Sequence, residues 1–219
     1  MEKHIVNSYD KELNELRHSV INMANLVKEL ISIAEGAIKD PKQSFKQTAD
    51  DTDLKINFHD DSAEQLAIHV LALRQPMAID LRQVISALKL AVILERMGDL
   101  AKKASHRVEY LPIKIPSIIA NLLLKMAREL EYLIGEAIKS YEALDDQLAM
   151  EIRLKDKLID DYYCQIMQLL EKEIENNPEQ TKSFINLVLV VRNFERIGDY
   201  IIKIACITHY IITGEKLNK

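Results

Sequence analysis

Two segments of the chain have almost the same sequence: LERMGDLAKKA at residues 94–104 and FERIGDYIIKIA at residues 194–205. Each segment contains a glutamate and an aspartate four residues apart within an otherwise apolar run. Since positions i and i+4 lie on one face of a helix, each segment would present two carboxylates side by side. Each also contains a glycine, Gly98 or Gly198, which would allow a neighbouring helix to approach closely. The repetition predicts an internally duplicated helical protein.

The composition favours a helical globular protein. Of the 219 residues, 48% are hydrophobic and 29% are charged, with only five glycines, five prolines and no tryptophan. The polar start of the chain lacks a secretory signal, and the longest apolar run, LVLVV at residues 187–191, is shorter than the roughly 20 residues that span a bilayer. Cys164 and Cys206 have no metal-binding spacing, and the net charge of −5 argues against nucleic-acid binding. We therefore expect a soluble, cytoplasmic protein.

Prolines divide the chain into six periodic segments, because proline is tolerated between helices but not inside them. They are Pro41, Pro76, Pro112, Pro116 and Pro178. The predicted helices span residues 8–39, 43–74, 77–110, 117–143, 147–176 and 179–212. The fifth helix follows a segment without proline, ALDDQLA at residues 143–149, in which Asp145 or Asp146 would cap the first turn.

The segment YLPIKIPS at residues 110–117 divides the chain into two matching halves. Besides the Glu–Asp pairs, EGAIK at residues 35–39 reappears as GEAIK at residues 135–139. We therefore predict an all-α protein with six long helices, which form two tandem, internally duplicated three-helix bundles. The first bundle would comprise residues 1–111 and the second residues 112–219.

The Glu–Asp pairs lie toward the packing side of their helices, and an acidic stripe on the neighbouring helix would face each pair. The stripe consists of Asp53, Asn57, Asp60 and Glu64 in the first half and includes Asp156 and Asp160 in the second. Carboxylate oxygens prefer hard cations such as Mg²⁺, Mn²⁺, Ca²⁺ or iron. The facing stripes therefore predict a metal site in each half.

Basic side chains offer an alternative to a metal ion. Arg82, Arg96 and Arg196 could pair with the carboxylates through bidentate hydrogen bonds. Lys103 and Lys203 follow the aspartates of the two pairs by four residues, which is the favourable spacing for an ion pair on a helix. A tethered ammonium group would then take the place of a metal cation, and the repeated acids would only hold a helical scaffold together.

Motifs that mark common enzyme classes are missing from the sequence. It contains neither a phosphate-binding G-x-x-x-x-G-K-[ST] loop nor a G-x-S-x-G nucleophile motif. An E-x-x-H motif at residues 15–18 occurs only once, whereas the di-iron four-helix bundles need two copies. We therefore expect a protein without catalytic activity.

Together these motifs resemble the PhoU family, the regulators associated with bacterial phosphate-specific transport. The resemblance covers nearly the whole chain, including HIVNSYDKELNEL at residues 4–16, LALRQPMAIDLR at residues 71–82 and KDKLID at residues 155–160. The combination of Arg74-Gln75-Pro76, Asp80-Leu81-Arg82 and the doubled E-R-[IM]-G-D motif is highly specific.

The resemblance implies tandem three-helix bundles with metal ions, Mg, Mn, Fe or Zn, at the acidic motifs. It also implies a cytoplasmic protein that is commonly a homodimer and is peripheral to membrane complexes only through its partners. Family members are regarded as negative regulators that link the ATP-binding subunit of a phosphate ABC transporter to a sensor histidine kinase. Carried over residue by residue, the two metal sets are Asp53, Asn57, Glu95 and Asp99, and Asp156, Asp160, Glu195 and Asp199.

The sequence departs from the family pattern next to these sites. Lys103 and Lys203 lie where the family often has asparagine, and Asn57 occupies the position that Asp160 holds in the second half. Each lysine adds a positive charge, and Asn57 supplies one negative charge fewer. We therefore expect the first half to bind metal more weakly than the second.

Overall fold

The computed structural model describes the backbone of residues 2–217 and their side chains, except for the side chains of residues 2–8 and Asp156. Every regular element in this part of the chain is a helix. The α-helices are α1 (Glu2–Lys39), α2 (Lys46–Arg74), α3 (Ala78–Glu109), α4 (Ser117–Ala143), α5 (Asp146–Arg153), α6 (Asp156–Asn176) and α7 (Thr181–Thr213). A short 3₁₀ helix, Pro178–Gln180, precedes α7.

The all-α fold with two tandem three-helix bundles is confirmed, with one difference in the second bundle. The expected fifth helix, 147–176, is divided into α5 and α6, which together take the place that α2 has in the first half. The amides of Leu154 and Lys155 bond back to the carbonyls of Glu151 and Ile152, closing a turn in which the Leu154 side chain is 81% exposed. No proline or glycine marks this break, and the apolar periodicity continues through it. The sequence pattern therefore predicted one continuous helix.

The two halves pack against each other through α3 with α7 and through α1 with α4. Helices α3 and α7 run antiparallel, since Arg82 near the start of α3 reaches the Ile211 carbonyl, while Arg107 near its end reaches Asn186. Buried apolar side chains from both halves form one hydrophobic core. The division at residues 111 and 112 into separately folded domains stays a prediction.

The duplication extends to the burial of individual residues. Buried, half-buried and exposed positions follow one another in the same order along residues 91–100 and 191–200. Both repeated motifs therefore have the same orientation, with Glu95 and Glu195 half-buried at the flanks of their helices. None of the described helices contains an apolar segment long enough to cross a lipid bilayer.

Candidate functional site: two acidic clusters

The glycine of each motif lets the neighbouring helix come close enough to bring the acids together. A Cβ atom on Gly98 would lie 2.7 Å from Cδ1 of Ile56 on α2, and a Cβ atom on Gly198 would lie 3.0 Å from Cγ2 of Ile159 on α6. The expectation that these glycines permit a close helix approach is confirmed. Because Ile56 and Ile159 make the same contact in the two halves, equivalent positions of α2 and α6 can be counted from them.

The first acidic cluster is bridged by two lysines. Lys102 Nζ donates a hydrogen bond to Asp53, which is only 7% exposed, and lies 3.5 Å from Oδ1 of Asp99. Lys103 Nζ donates to the other oxygen of Asp99 at 2.7 Å. Lys102 thus joins a carboxylate on α2 to one on α3, and the prediction that Lys103 pairs with Asp99 is confirmed.

The pKa shifts in this cluster follow from burial and from these contacts. Burial by itself would raise the pKa of Asp99, but the hydrogen bonds and charges of Lys103 and Lys102 outweigh it and lower that pKa. Burial would likewise lower the pKa of Lys102, yet Asp53 and Asp99 raise it. Both lysines therefore stabilise the cluster in its charged form.

Glu95 lies in the same cluster but lacks this compensation. Burial raises its pKa first, and the negative charges of Asp99, Asp60 and Asp53 raise it further, against a small opposing effect of Arg96. Asp60 is therefore part of the cluster, whereas Asn57, which we expected as a metal ligand, has an exposed side chain.

The second cluster contains Glu195, Asp199 and Asp160. Burial raises the pKa of Glu195, Asp199 and Asp160 raise it further, and Arg192 and Arg196 oppose the shift. Asp199 is half-buried and Asp160 is exposed. Asp156, the remaining residue of the predicted set, lies outside the described side chains.

The two clusters differ in their lysines. Ile202, only 7% exposed, occupies the position that Lys102 has in the first half. Lys203 lies 4.6 Å from the centre of the Tyr200 ring, a cation–π contact. The side chain at residue 202 is aliphatic and therefore cannot bridge two carboxylates as Lys102 does in the first half.

The side chains of the first cluster do not fit a metal ion in this arrangement. Asp53 and both oxygens of Asp99 contact ammonium groups, and Asn57 is exposed. Among the described residues, no group of three or more His, Cys, Asp or Glu side chains is placed to hold a metal. Metal binding by either half stays a prediction.

The other motif residues hold helices together at a distance from the acids. Asp80 in the first turn of α3 accepts a hydrogen bond from the Tyr9 hydroxyl at 3.0 Å, and burial together with Asp80 raises the pKa of Tyr9 to about 12. Arg82 donates through Nε to the Ile211 carbonyl at 2.9 Å rather than to the paired acids. Arg96 and Arg196 are exposed.

Lys102 is the residue of the first cluster whose contacts were not predicted from the sequence. Its signal was present, because it follows Asp99 by three residues and lies on the same helix face as Glu95. Only the packing of α2 against α3 reveals that Lys102 reaches Asp53 rather than solvent.

Comparison with known proteins identifies the family. A sequence model of the PhoU domain matches residues 7–108 and again residues 123–208. The chain belongs to the PhoU family. The resemblance inferred from the motifs is thereby confirmed, and each matched region corresponds to one of the two three-helix bundles.

The similarity to individual PhoU proteins extends over nearly the full length. A "Phosphate-specific transport system accessory protein PhoU homolog" of Caulobacter vibrioides is 31% identical over 218 residues, which cover 99% of this chain and 95% of the relative. The crystal structure of PhoU from Pseudomonas aeruginosa is similar with a TM-score of 0.88 at 27% identity, and covers 94% of this chain and 100% of that one. The "phosphate transport system regulatory protein PhoU" from Streptococcus pneumoniae gives a TM-score of 0.86 at 26% identity, with 96% and 100% covered.

Proposed function

We propose that this chain is a non-catalytic negative regulator of phosphate uptake and of phosphate-starvation signalling. It would contact the ATP-binding subunit of a phosphate ABC transporter and a sensor histidine kinase from the cytoplasmic side of the membrane. The observation that carries the proposal is the match of both halves to the PhoU domain. The similar proteins are named as accessory or regulatory proteins of phosphate transport systems.

The chemistry of the acidic clusters supports a binding role rather than catalysis. Asp53 and Asp99 are tied to lysines, so neither is poised to accept a proton from a substrate. Burial and neighbouring carboxylates account for the raised pKa values of Glu95 and Glu195. Raised pKa values of this origin also arise in structural clusters.

An exposed apolar pair on α2 supports a function in protein contacts. Leu54 and Phe58 are 65% and 68% exposed and lie one helical turn apart. Counted from the isoleucine that packs against the motif glycine, the equivalent residues of the second half are Lys157 and Asp161, both exposed. The bundle therefore does not need apolar side chains at these positions, and large exposed apolar groups often mark interaction sites.

The mechanism of the proposed regulation is a shift of populations. A protein that binds one conformational state of a transporter or kinase more tightly than the other favours that state, in proportion to the difference in affinity. Long helices with a continuous buried core suit this role, because they present a rigid docking surface.

Deletion of the gene tests the proposal directly. We expect phosphate uptake and starvation genes to be active in phosphate-rich medium after deletion, and repression to return when the wild-type gene is restored. A phosphate response that is unchanged by the deletion would overturn the proposal.

The variant Leu54→Lys/Phe58→Asp tests whether the α2 surface makes the contact. It introduces the residue types that the second half already has at the equivalent positions, so the fold should be retained. We expect it to lose repression and to fail to capture the transporter's ATP-binding subunit. Ile118→Lys, a change at another exposed apolar side chain, on α4, is the matched control and should keep both properties.

We also propose that the protein forms a homodimer. Sedimentation equilibrium checks the mass: a species near twice the chain mass of 25.2 kDa supports the proposal, and a monomer over the full concentration range contradicts it.

A further inference from the structure

We propose that Lys102 and Lys103 take the place of a metal ion in the first half, so that Asp53 and Asp99 are neutralised by the chain itself. The inference concerns only residues on α2 and α3 and does not depend on the proposed regulatory function. It makes the two halves chemically unequal despite their duplicated fold.

The position of Lys102 is the first observation that supports the substitution of a lysine for a metal ion. Its ammonium group lies between Asp53 on α2 and Asp99 on α3, within hydrogen-bond distance of the former and 3.5 Å from the latter. A metal ion that joined these two helices would need the same carboxylate oxygens. Both side chains of the Lys102–Asp53 pair are largely shielded from water, with 21% and 10% of their surfaces exposed, so solvent screens the attraction only weakly.

Lys103 completes the neutralisation. It bonds to the oxygen of Asp99 that Lys102 does not approach, at 2.7 Å. The carboxylates of Asp53 and Asp99 therefore face two ammonium groups, which balance the charges of these two side chains. An ammonium on a flexible stem is a compact point charge, which makes it a suitable substitute for a small cation.

A divalent ion would have to displace these groups. Each ammonium group would also repel an incoming cation. The neutral Asn57 is exposed and offers no compensating charge. The lysines therefore oppose metal binding through their charge and through their contacts with Asp53 and Asp99.

The second half serves as an internal comparison. Ile202 lies at the position of Lys102, and Lys203 contacts the Tyr200 ring at 4.6 Å. A lysine at the position of Lys102 is therefore not needed to build the bundle, and the bridge in the first half is a property of its own sequence.

Binding of Mn²⁺ tests the inference. The full chain carrying Glu195→Gln/Asp199→Asn serves as the background, since these changes remove two of the four predicted ligands of the second half. With both lysines present we expect no Mn²⁺ binding by electron paramagnetic resonance. Adding Lys102→Met/Lys103→Met should expose the carboxylates and strengthen Mn²⁺ binding at least about tenfold, and Mn²⁺ should then raise the Tm.

Two results would overturn the inference. One is Mn²⁺ binding by the background protein with both lysines intact that disappears on Asp53→Asn. The other is a folded Lys102→Met/Lys103→Met variant that neither binds Mn²⁺ nor responds to it in thermal unfolding. Lys203→Met is the matched control for losing an ammonium group and should leave Mn²⁺ binding of the background unchanged. Mn²⁺ binding by the background protein that is lost on Asp53→Asn overturns the inference even if the double lysine variant fails to fold.

Discussion

Ile159 of α6 packs directly against Gly198 of α7 with the branched part of its side chain. A Cβ atom added to Gly198 would be 3.0 Å from Cγ2 of Ile159 and 3.5 Å from its Cβ. These atoms are next to the α6 backbone and move only with it. In the first half the nearest atom to a Cβ on Gly98 is Cδ1 of Ile56, at the far end of the side chain.

Gly198→Ala should therefore destabilise the protein more than Gly98→Ala, although the distance is shorter at Gly98. Alanine gains about 1 kcal/mol of helix propensity over glycine. At Gly98 a rotation of the Ile56 side chain can relieve the clash, so the net effect should stay within about 1 kcal/mol. At Gly198 we expect a net loss of about 1–2 kcal/mol, because α6 itself must shift. Urea unfolding of both variants measures the difference, and an equal or larger loss for Gly98→Ala contradicts it.

Arg82→Met should loosen the end of α7. The guanidinium donates to the Ile211 carbonyl in the last turn and lies against Gly214, which ends the helix at φ 78°. Helix ends have carbonyls without intrahelical partners, and a cation there is favourable. We expect a loss of about 1–2 kcal/mol and faster amide exchange in the last turn of α7.

Arg96→Met is the control for Arg82→Met. Arg96 is exposed on the same helix, and its replacement should change stability by less than about 0.5 kcal/mol. Loss of the same size in both variants would mean that the contact between Arg82 and Ile211 does not stabilise the end of α7.

The features predicted from the sequence are those set by local pattern. Helix bounds followed from apolar periodicity and proline positions, and the repeated Glu95 and Glu195 motifs revealed the duplication. The break between α5 and α6 could not be predicted, because no proline or glycine marks it.

The site was predicted less well, since it depends on contacts between helices. Spacing along one helix indicated the pair of Lys103 with Asp99. The contact of Lys102 with Asp53 joins residues 49 positions apart and depends on how α2 packs against α3. The same packing leaves Asn57 exposed, although it shares a helical stripe with Asp53.

Asp145→Ala should weaken the start of α5. Asp145 Oδ1 accepts a hydrogen bond from the Leu148 amide at 3.0 Å, which confirms the predicted cap. An alanine there leaves the amide without this partner and should cost about 1 kcal/mol. This corresponds to a Tm decrease of about 2–4 °C for a chain of this size.

Asp145→Asn is the matched variant, because asparagine caps about as well as aspartate. It should retain the wild-type Tm. A decrease equal to that of Asp145→Ala would show that the negative charge near the helix start, rather than the hydrogen bond, provides the stabilisation.

A charged cluster lies where α1 of the first half packs against α4 of the second. Glu35 is buried and bonds to Lys39 at 2.9 Å and to Arg128 at 2.8 Å, so that these contacts outweigh the effect of burial and lower its pKa. Glu131 is the opposite case: its Oε1 is buried without a hydrogen-bond partner. Burial, followed by the charge of Glu35, raises the pKa of Glu131 against the opposing charges of Lys28, Lys39 and Arg128.

Glu131→Gln should stabilise the protein at neutral pH. A carboxyl group whose pKa is higher in the folded than in the unfolded state binds its proton more tightly when folded. Its favourable contribution is therefore present at low pH and is lost as the pH rises through the raised pKa. Glutamine stays neutral at every pH, so the stability of the variant should match that of the wild type near pH 4 and exceed it at pH 7 by about 0.5 kcal/mol, or about 1–2 °C in Tm.

Thermal unfolding between pH 4 and pH 7 measures this difference, with the exposed Glu142→Gln as a control that should show no such trend. A Tm difference between Glu131→Gln and the wild type that shrinks toward pH 7 would show that the Glu131 carboxylate is stabilised in the folded protein.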